Sequence, residues 1–587
     1  MAPWGRMLRL AVLLRASALA GRRDAAFEQL ETSYDASMGA TRPAAHLSGS
    51  ASSLSSTFAA WALAPKSPHR AKRELRAVFE AQWANGMIPA YFGLTDGDVY
   101  GVPGLAFWNQ SGLLTASSLP LAALPLQAIV ALQIYAEEPN RAEAASFGAE
   151  VAQKLFRWHR YLHDQRSARD DGLVRLWHPW ESLAPAQLWR PWCAAAGYGV
   201  DECSGLGAAA ADDDPMLALA DCVAECGFDA ARVFAICGFG AKDAQFNGVL
   251  ARADEALLRL IDALEHRHVR TSGLDDAARA QILGWAGALD VGRLADGGAF
   301  RSLWSTDATA DSALWIRADV AVVGDATAVW APRASRGDQA RVFAELVIPT
   351  TPATFACAGD YEPLPEVECD RGPDAARRLR SRYTARTEGP RWPEGALAWP
   401  FQNALVERAL RDAGAETVAD WLRNATLDLV DGPCRGVEGC GFYAAYDRDG
   451  EGVPGAFGAR NTSTLTAAAY AILDHNDPPL DDVVDPPVSR AVVFAIVCLE
   501  LFIAFLVNAA CVGANIVMIR QHSRNVTHER RTTPSLLPRR PPTPQRKPGD
   551  ARTPPRKPGE ARTPPRPPDP QQPLIVHAHS AYAPEVD

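Results

Sequence analysis

Residues 243–265 read DAQFNGVLARADEALLRLIDALE. Phe246, Val249, Leu250, Leu257, Leu260, Ile261 and Leu264 recur three and four residues apart, which gives a helix one apolar face and one charged face. The same period returns on either side. Leu75, Val78, Phe79 and Trp83 form a stripe that Asn85-Gly86 stops, and Phe147, Val151, Leu155, Trp158 and Leu162 form another. Leu405, Val406 and Leu410, then Gly414, then Val418, Trp421 and Leu422 predict a helical hairpin. Alternating, strand-like runs are few, the best being Val320–Val323 and Ala344–Ile348. The stripes add up to about ten to twelve helices, separated by long loops rich in Trp, Pro, Gly and Asp, which a four-helix bundle with short connections does not have. A helical toroid whose loops build a cleft fits better.

The chain has 587 residues, 48% of them apolar, enough for a large core and too many for a disordered chain. From Arg520 onward there are 13 Lys+Arg against 6 Asp+Glu, about +7, so the net charge of −10 leaves about −17 on everything before it. An acidic body does not grip phosphate backbones, and no nucleic acid partner is expected.

The two ends set a topology. Ala491–Ile519 is 29 residues without Lys, Arg, Asp or Pro, longer than the roughly 20 that cross a bilayer. Arg520, Arg524, Arg530 and Arg531 follow it and only Arg490 lies close before it, which places the C-terminal side in the cytoplasm. Residues 1–21, with Arg6, Arg9 and a short apolar run, read as a weak signal peptide. The expectation is a single-pass type I membrane protein of the endomembrane system or cell surface. Its helical body spans 25–477, its stalk 478–490, its span 491–519 and its Pro/Arg-rich, disordered tail 520–587. The tail repeats RKPGDARTPP (546–555) as RKPGEARTPP (556–565). Such a segment lies extended near anionic lipid or docks on an aromatic groove of a cytoplasmic adaptor.

In the expected lumenal or extracellular body, Asn109, Asn424 and Asn461 stand in N-glycan acceptor triplets. Nine cysteines fall there too, and Cys193/Cys203, Cys357/Cys369 and Cys434/Cys440 could close short loops, with connectivity left open. No metal or cofactor is expected: no His pair sits at ligand spacing beside a cysteine, and Arg448 spoils the Ca²⁺-loop look of Asp447-Arg448-Asp449-Gly450-Glu451.

Asp170-Asp171-Gly172-Leu173 followed by Trp177-His178-Pro179-Trp180-Glu181-Ser182 concentrates acids, indoles and an imidazole in 13 residues. Indole faces stack on the C–H faces of sugar rings, and carboxylates and imidazoles bond hydroxyls. This stretch, with RELRAVFEAQWANGMIPAYF (73–92), DAQFNGVL (243–250), WPFQNALVERAL (399–410) and GFYAAYDRDGEG (441–452), resembles glycoside hydrolase family 63. That family includes mannosylglycerate hydrolases and the endoplasmic-reticulum mannosyl-oligosaccharide glucosidase. The resemblance is collinear over about Thr57 to Asp474. It implies an all-α, (α/α)6 toroid, a carbohydrate ligand (an oligosaccharide or small glycoside), and inverting hydrolysis in the central cleft. His178, Trp180, Glu181 and Trp399 are then the expected substrate-binding residues.

Inverting hydrolysis needs one carboxylic acid for the leaving oxygen and one carboxylate to activate water, each worth about 10²–10⁴-fold. The family usually follows H-P-W-E-S with G-x-D-N-S-P, and here the acid's place falls on Ala184 or Pro185. The family's F-x-E-x-Y-D, which holds the base, is Phe442-Tyr443-Ala444-Ala445-Tyr446-Asp447, with Ala in place of Glu. Leu54-Ser55, Ala123, Glu394-Gly395-Ala396-Leu397 and Leu465 replace further residues that hold sugar hydroxyls in the family. Glu181 and Asp447 are the nearest surviving acids and the weak candidates for catalysis. The first expectation is therefore a glycoside-hydrolase-like protein that is catalytically impaired. The alternatives are an active inverting oligosaccharide glucosidase or mannosyl/glucosylglycerate hydrolase with displaced carboxylates, and a protein-binding receptor with the tail as its output.

Overall fold

The computed structural model describes residues 21–43, 50–94, 118–167, 171–183, 189–199, 215–269, 271, 273–296, 299–306, 315–318, 323–331, 399–431, 441–443 and 463–475. The chain divides into two compact units, Met1–Val493 and Phe494–Asp587, and every described residue belongs to the first. The expected signal peptide, membrane span and tail lie outside the described residues. Among the described residues no helix is long and apolar enough to cross a membrane.

The main α-helices among the described residues are α1 (Ser53–Leu63), α2 (Pro68–Glu80), α3 (Gln127–Glu137), α4 (Arg141–Tyr161), α5 (Arg190–Ala195), α6 (Pro215–Glu225), α7 (Ala230–Ile236), α8 (Ala244–Glu265), α9 (Asp276–Ala288), α10 (Pro400–Asp412), α11 (Glu416–Asp431) and α12 (Thr464–His475). Their starts follow from local chemistry. Ser52, Asn140, Asp229, Asp243 and Asp275 cap α1, α4, α7, α8 and α9 with side-chain oxygens on free N–H groups, and Pro stands in the first turn of α2 and α10. Gly414, at φ +81°, turns the chain between α10 and α11, as the hairpin pattern required.

Helix packing closes a ring. Helix α12 packs on α1, α1 on α3, α3 on α8, α8 on the 3₁₀ helix Val323–Trp330, that helix on α10, and α10 back on α12. Helices α2, α4, α9 and α11 pack outside α1, α3, α8 and α10, so inner and outer elements alternate along the chain. Among the described residues the ring is six-membered, as expected for a helical toroid, but one member is a 3₁₀ helix. Val323, expected at the end of a strand, begins that helix. The strands that do form are two or three residues long and pair as small antiparallel sheets, such as Ala51–Ser52 with Tyr91–Phe92 and Gly240–Lys242 with Leu303–Ser305.

The inner helices are short of surface and buried nearly all round. Ser53, Thr57, Phe58, Ala59 and Ala60 in α1, and Ile129, Val130, Ala131 and Leu132 in α3, are fully buried. Such a ring tolerates close backbone approach only where side chains are absent. A Cβ on Gly248 of α8 would stand 2.5 Å from the Ala328 Cα of the 3₁₀ helix, so glycine permits that contact.

Candidate active site

The N-terminal ends of α1, α8 and α10 and the loop before α3 are laced together at one mouth of the ring. Ser53 N–H donates to Ala90 O at 2.9 Å, Ala90 N–H to Leu121 O at 2.8 Å, and Leu176 N–H to Ala241 O at 2.7 Å. Ser182 Oγ donates to Asp243 Oδ2 at 2.6 Å, and Gln402 Nε2 lies 3.4 Å from Leu183 O. Residues 171–183 thus cross the mouth from α8 towards α10.

That loop is held at every turn. Gly172, at φ +67°, passes so close to Ala288 O that a Cβ would sit 2.5 Å from it. Asp171 Oδ2 receives a 2.6 Å bond from Lys242 Nζ. Asn247 of α8 clamps Val174 from both sides, its Oδ1 accepting from the Val174 N–H at 2.7 Å and its Nδ2 donating to the carbonyl at 3.0 Å. His178 caps the 3₁₀ turn Pro179–Glu181.

Glu181 is the centre of this lacing. Its side chain and that of Arg166 are both 0% exposed and paired, with Arg166 Nη2 and Nη1 donating to its two oxygens at 2.7 and 3.1 Å. The Ala122 and Trp177 N–H groups add bonds of 2.7 and 2.9 Å. Arg166 reaches it because α4 ends in a π turn, Leu162–Arg166, which widens the helix and turns the guanidinium inward. There it lies 3.2 Å from the centre of the Trp177 ring and donates Nε–H to Tyr161 Oη at 3.0 Å. Burial works against the Arg166 charge, and Glu181 and Tyr161 more than offset it, so its pKa is raised. With four donors on two oxygens and a cation against it, Glu181 braces the loop. Glu181, the expected sugar-binding residue and weak catalytic candidate, thus has both carboxylate oxygens engaged by the protein itself.

His178 is engaged likewise. It is fully buried, its Nε2 donating to Met216 O at 3.0 Å and its Nδ1 accepting from Trp180 N–H at 3.1 Å. Burial lowers its pKa to about 4, the Met216 bond acting in the opposite sense, so the ring is neutral and both nitrogens are occupied. Trp180 packs on it with ring centres 4.5 Å apart and is itself half-buried. Trp399, the residue before α10, is half-buried and meets Phe401 edge-on at 6.2 Å. These two indoles keep the partial exposure that stacking on a sugar needs.

Two features of the mouth carried no signal strong enough to pick out from the sequence. Asp243, 2% exposed, accepts from Ser182 and from Phe246 N–H, and burial raises its pKa. Gln245 of α8 and Gln402 of α10 pair their buried amides across the ring. Leu54 and Leu465 are half-buried at the starts of α1 and α12, and Ala123 is buried before α3. Asp447, Ala184, Pro185, Ala444, Asn109 and Asn461 lie outside the described residues. Asn424 is exposed on α11, while Thr426 of its triplet is buried, donating to Leu422 O and accepting from Asn403 Nδ2.

One pair joins cysteines not named among the expected short loops, while Cys203, Cys357, Cys369, Cys434 and Cys440 lie outside the described residues. Cys222 and Cys237 form a disulfide, Cys226 is free and buried, and Cys193 is disulfide-bonded. The α6–α7 turn brings Cys222 and Cys237, fifteen residues apart, to a Cα separation of 5.6 Å.

Residues 50–289 match the model of the mannosylglycerate hydrolase MGH1-like glycoside hydrolase domain. A mannosylglycerate hydrolase of Rubrobacter radiotolerans is 30% identical over 241 residues, 38% of this chain and 54% of that protein. A glucosylglycerate hydrolase of Mycolicibacterium hassiacum is 35% identical over 140 residues, 22% of this chain and 31% of that protein. The chain thus spans about half the length of the first of these curated relatives and less of the second. Among solved structures, a family 63 mannosylglycerate hydrolase of Thermus thermophilus, in complex with Tris and D-glycerate, superposes with a TM-score of 0.58 at 21% identity. That match covers 78% of this chain and all of the other, and shows the shared fold. Residues 50–289 are thus similar to the glycoside hydrolase domain of mannosylglycerate hydrolases, and the fold is that of a family 63 enzyme.

Proposed function

We propose that the mouth of the ring binds a glycoside, of the mannosyl- or glucosylglycerate class or a related oligosaccharide, and that the chain hydrolyses it weakly or not at all. The observation that carries this is Glu181, the acid nearest the expected proton donor, fixed by Arg166 and two N–H groups. The sequence offers Ala184 and Pro185 for the donor and Ala444 for the water activator, none of which ionises. Leu54, Ala123 and Leu465 take hydrogen-bonding groups from the mouth, while Trp180 and Trp399 keep ring faces for it. Binding of glucosylglycerate and mannosylglycerate measured by calorimetry, beside glycerate release measured enzymatically, tests both halves. Saturable binding with release at the buffer rate is expected, and turnover comparable to an active hydrolase refutes the second half.

One observation favours a weakly active enzyme. The Asp243 carboxyl, with its pKa raised by burial, adjoins the loop where the donor is expected. Residual hydrolysis abolished by Asp243→Asn, with the denaturation midpoint kept because Asn also caps helices, would support this reading.

The proposal includes placement of the body on the non-cytoplasmic side of a membrane, anchored through 491–519. The apolar span, the Arg residues behind it and the Cys222–Cys237 disulfide support this. Protease protection of the body in sealed microsomes, with digestion of the tail from outside, is the expected result.

A further inference from the structure

The α6–α7 hairpin holds three sulfurs where two would make a disulfide. Cys226 Sγ stands 3.7 Å from Cys237 Sγ, and the Sγ atoms of Cys222, Cys226 and Cys237 all lie within 4.8 Å of one another. Cys222 and Cys237 are half-buried and Cys226 is 2% exposed. The hairpin is tight at this point. Gly227 and Phe228 both take positive φ, 65° and 58°, before Asp229 caps α7. This reversal returns Cys237 to the end of α6 and keeps Cys226 under it.

We propose that these residues form a thiol–disulfide exchange centre with Cys237 as the shared sulfur. Cys226 loses its proton to solvent base, and a rotation about its Cα–Cβ bond brings the thiolate into line with the Cys222–Cys237 bond. A Cys226–Cys237 bond forms as the Cys222–Cys237 bond breaks, and Cys222 leaves as a thiolate that takes up a proton. One S–S bond and one thiol stand on each side, so no oxidant or reductant is consumed. The new thiol is on the more exposed sulfur. Cys222 then becomes a site for a mixed disulfide with a small-molecule or protein disulfide, which Cys226, buried, cannot provide. Burial raises the Cys226 pKa, and Glu225 and Asp229 add to that against Arg232, so exchange is slow at neutral pH.

The centre is wired to the motif loop. Met216, at the start of α6, accepts the bond from His178, Trp192 Nε1 donates to Gly238 O at 2.9 Å, and Arg175 lies 4.2 Å over the Phe234 ring.

The test is mapping of cross-linked peptides on the full chain. The oxidised protein is incubated without reductant at pH 6, 7 and 8, quenched in acid, alkylated and digested. Both Cys222–Cys237 and Cys226–Cys237 peptides are expected, with alkylated Cys222 in step with the second and the rate rising about tenfold per pH unit. Cys222→Ser should form Cys226–Cys237 as its main cross-link, and Cys226→Ser should leave Cys222 unlabelled. Both variants should keep the wild-type circular dichroism. The inference fails if wild type yields only Cys222–Cys237 at pH 8, if Cys222 is labelled equally in Cys226→Ser, or if Cys222→Ser keeps two free thiols. It also fails if the purified chain carries one zinc per molecule on three thiolates with no bond between them.

Discussion

Changing Glu181 to Gln keeps the size of the side chain and removes its charge, and the packing around it sets the cost. Arg166 then stands fully buried without a counter-ion, and two of the four donors at 2.7, 3.1, 2.7 and 2.9 Å, one from Arg166 and one backbone N–H, face an amide N–H₂ instead of an oxygen. Breaking a buried pair from one side costs about 3–5 kcal/mol, far more than the about 1 kcal/mol of a single neutral hydrogen bond. Because both side chains are 0% exposed, solvent does not soften that cost. Urea unfolding followed by Trp fluorescence should show a lower midpoint with the slope unchanged. The double variant Arg166→Met/Glu181→Leu removes both charges and should recover most of the loss, although the Arg166 contact with Trp177 goes with it. A wild-type midpoint in Glu181→Gln, joined to a selective loss of sugar release, would refute the structural assignment and make Glu181 the acid of an active site.

Three further outcomes follow from the packing. His178 has a pKa of about 4 in the folded chain against 6.5 when free, so the unfolded chain binds its proton first; stability is whole above pH 6.5 and falls by about 3 kcal/mol as pH drops from 6.5 through 4. In His178→Gln the pH dependence in that window should flatten, read from denaturation midpoints at pH 7 and 4.5. Burial raises the pKa of Asp254, and His163 and His159 bonded to it more than offset this; with its pKa lowered, it adds stability present above the free carboxylate range and lost in more acid solution, where Asp254→Asn should flatten the curve. Gly248→Ala drives a methyl into the Ala328 backbone and should cost about 1–3 kcal/mol, visible as earlier thermal loss of circular dichroism.

The helices were legible where a long amphipathic stripe met a capping residue or a glycine stop, as in α8 after Asp243 and in the α10–α11 turn at Gly414. Periodicity reports which face is buried, and an outer or inner helix must bury a face wherever it packs. It does not report which helix lies beside which, so ring closure from α12 to α1 came only with the structure. Val323 misled because an apolar run of four residues fits a strand and a buried 3₁₀ turn equally. At the mouth, the H-P-W-E-S stretch marked the loop that crosses it but not what its side chains bond. Nothing near Glu181 in sequence announces Arg166, which a π turn brings in from fifteen residues away. His178 could pass for a hydroxyl donor until Met216, on another helix, was seen to accept its hydrogen bond. The Cys222–Cys237 bond was illegible for the same reason: the α6–α7 reversal decides which of those sulfurs meet.

The central claim is a sugar-binding mouth deprived of its two proton carriers, and restoring them tests it most directly. Ala444→Glu combined with Ala184→Asp, and with Pro185→Asp in a parallel chain, should be compared with wild type for glycerate release from mannosylglycerate and glucosylglycerate under saturating binding. The account predicts release at the buffer rate from wild type and a gain of roughly a hundredfold or more in one of the restored chains, the worth of a positioned acid and base. Rapid release by wild type, abolished rather than raised by the substitutions, would contradict it.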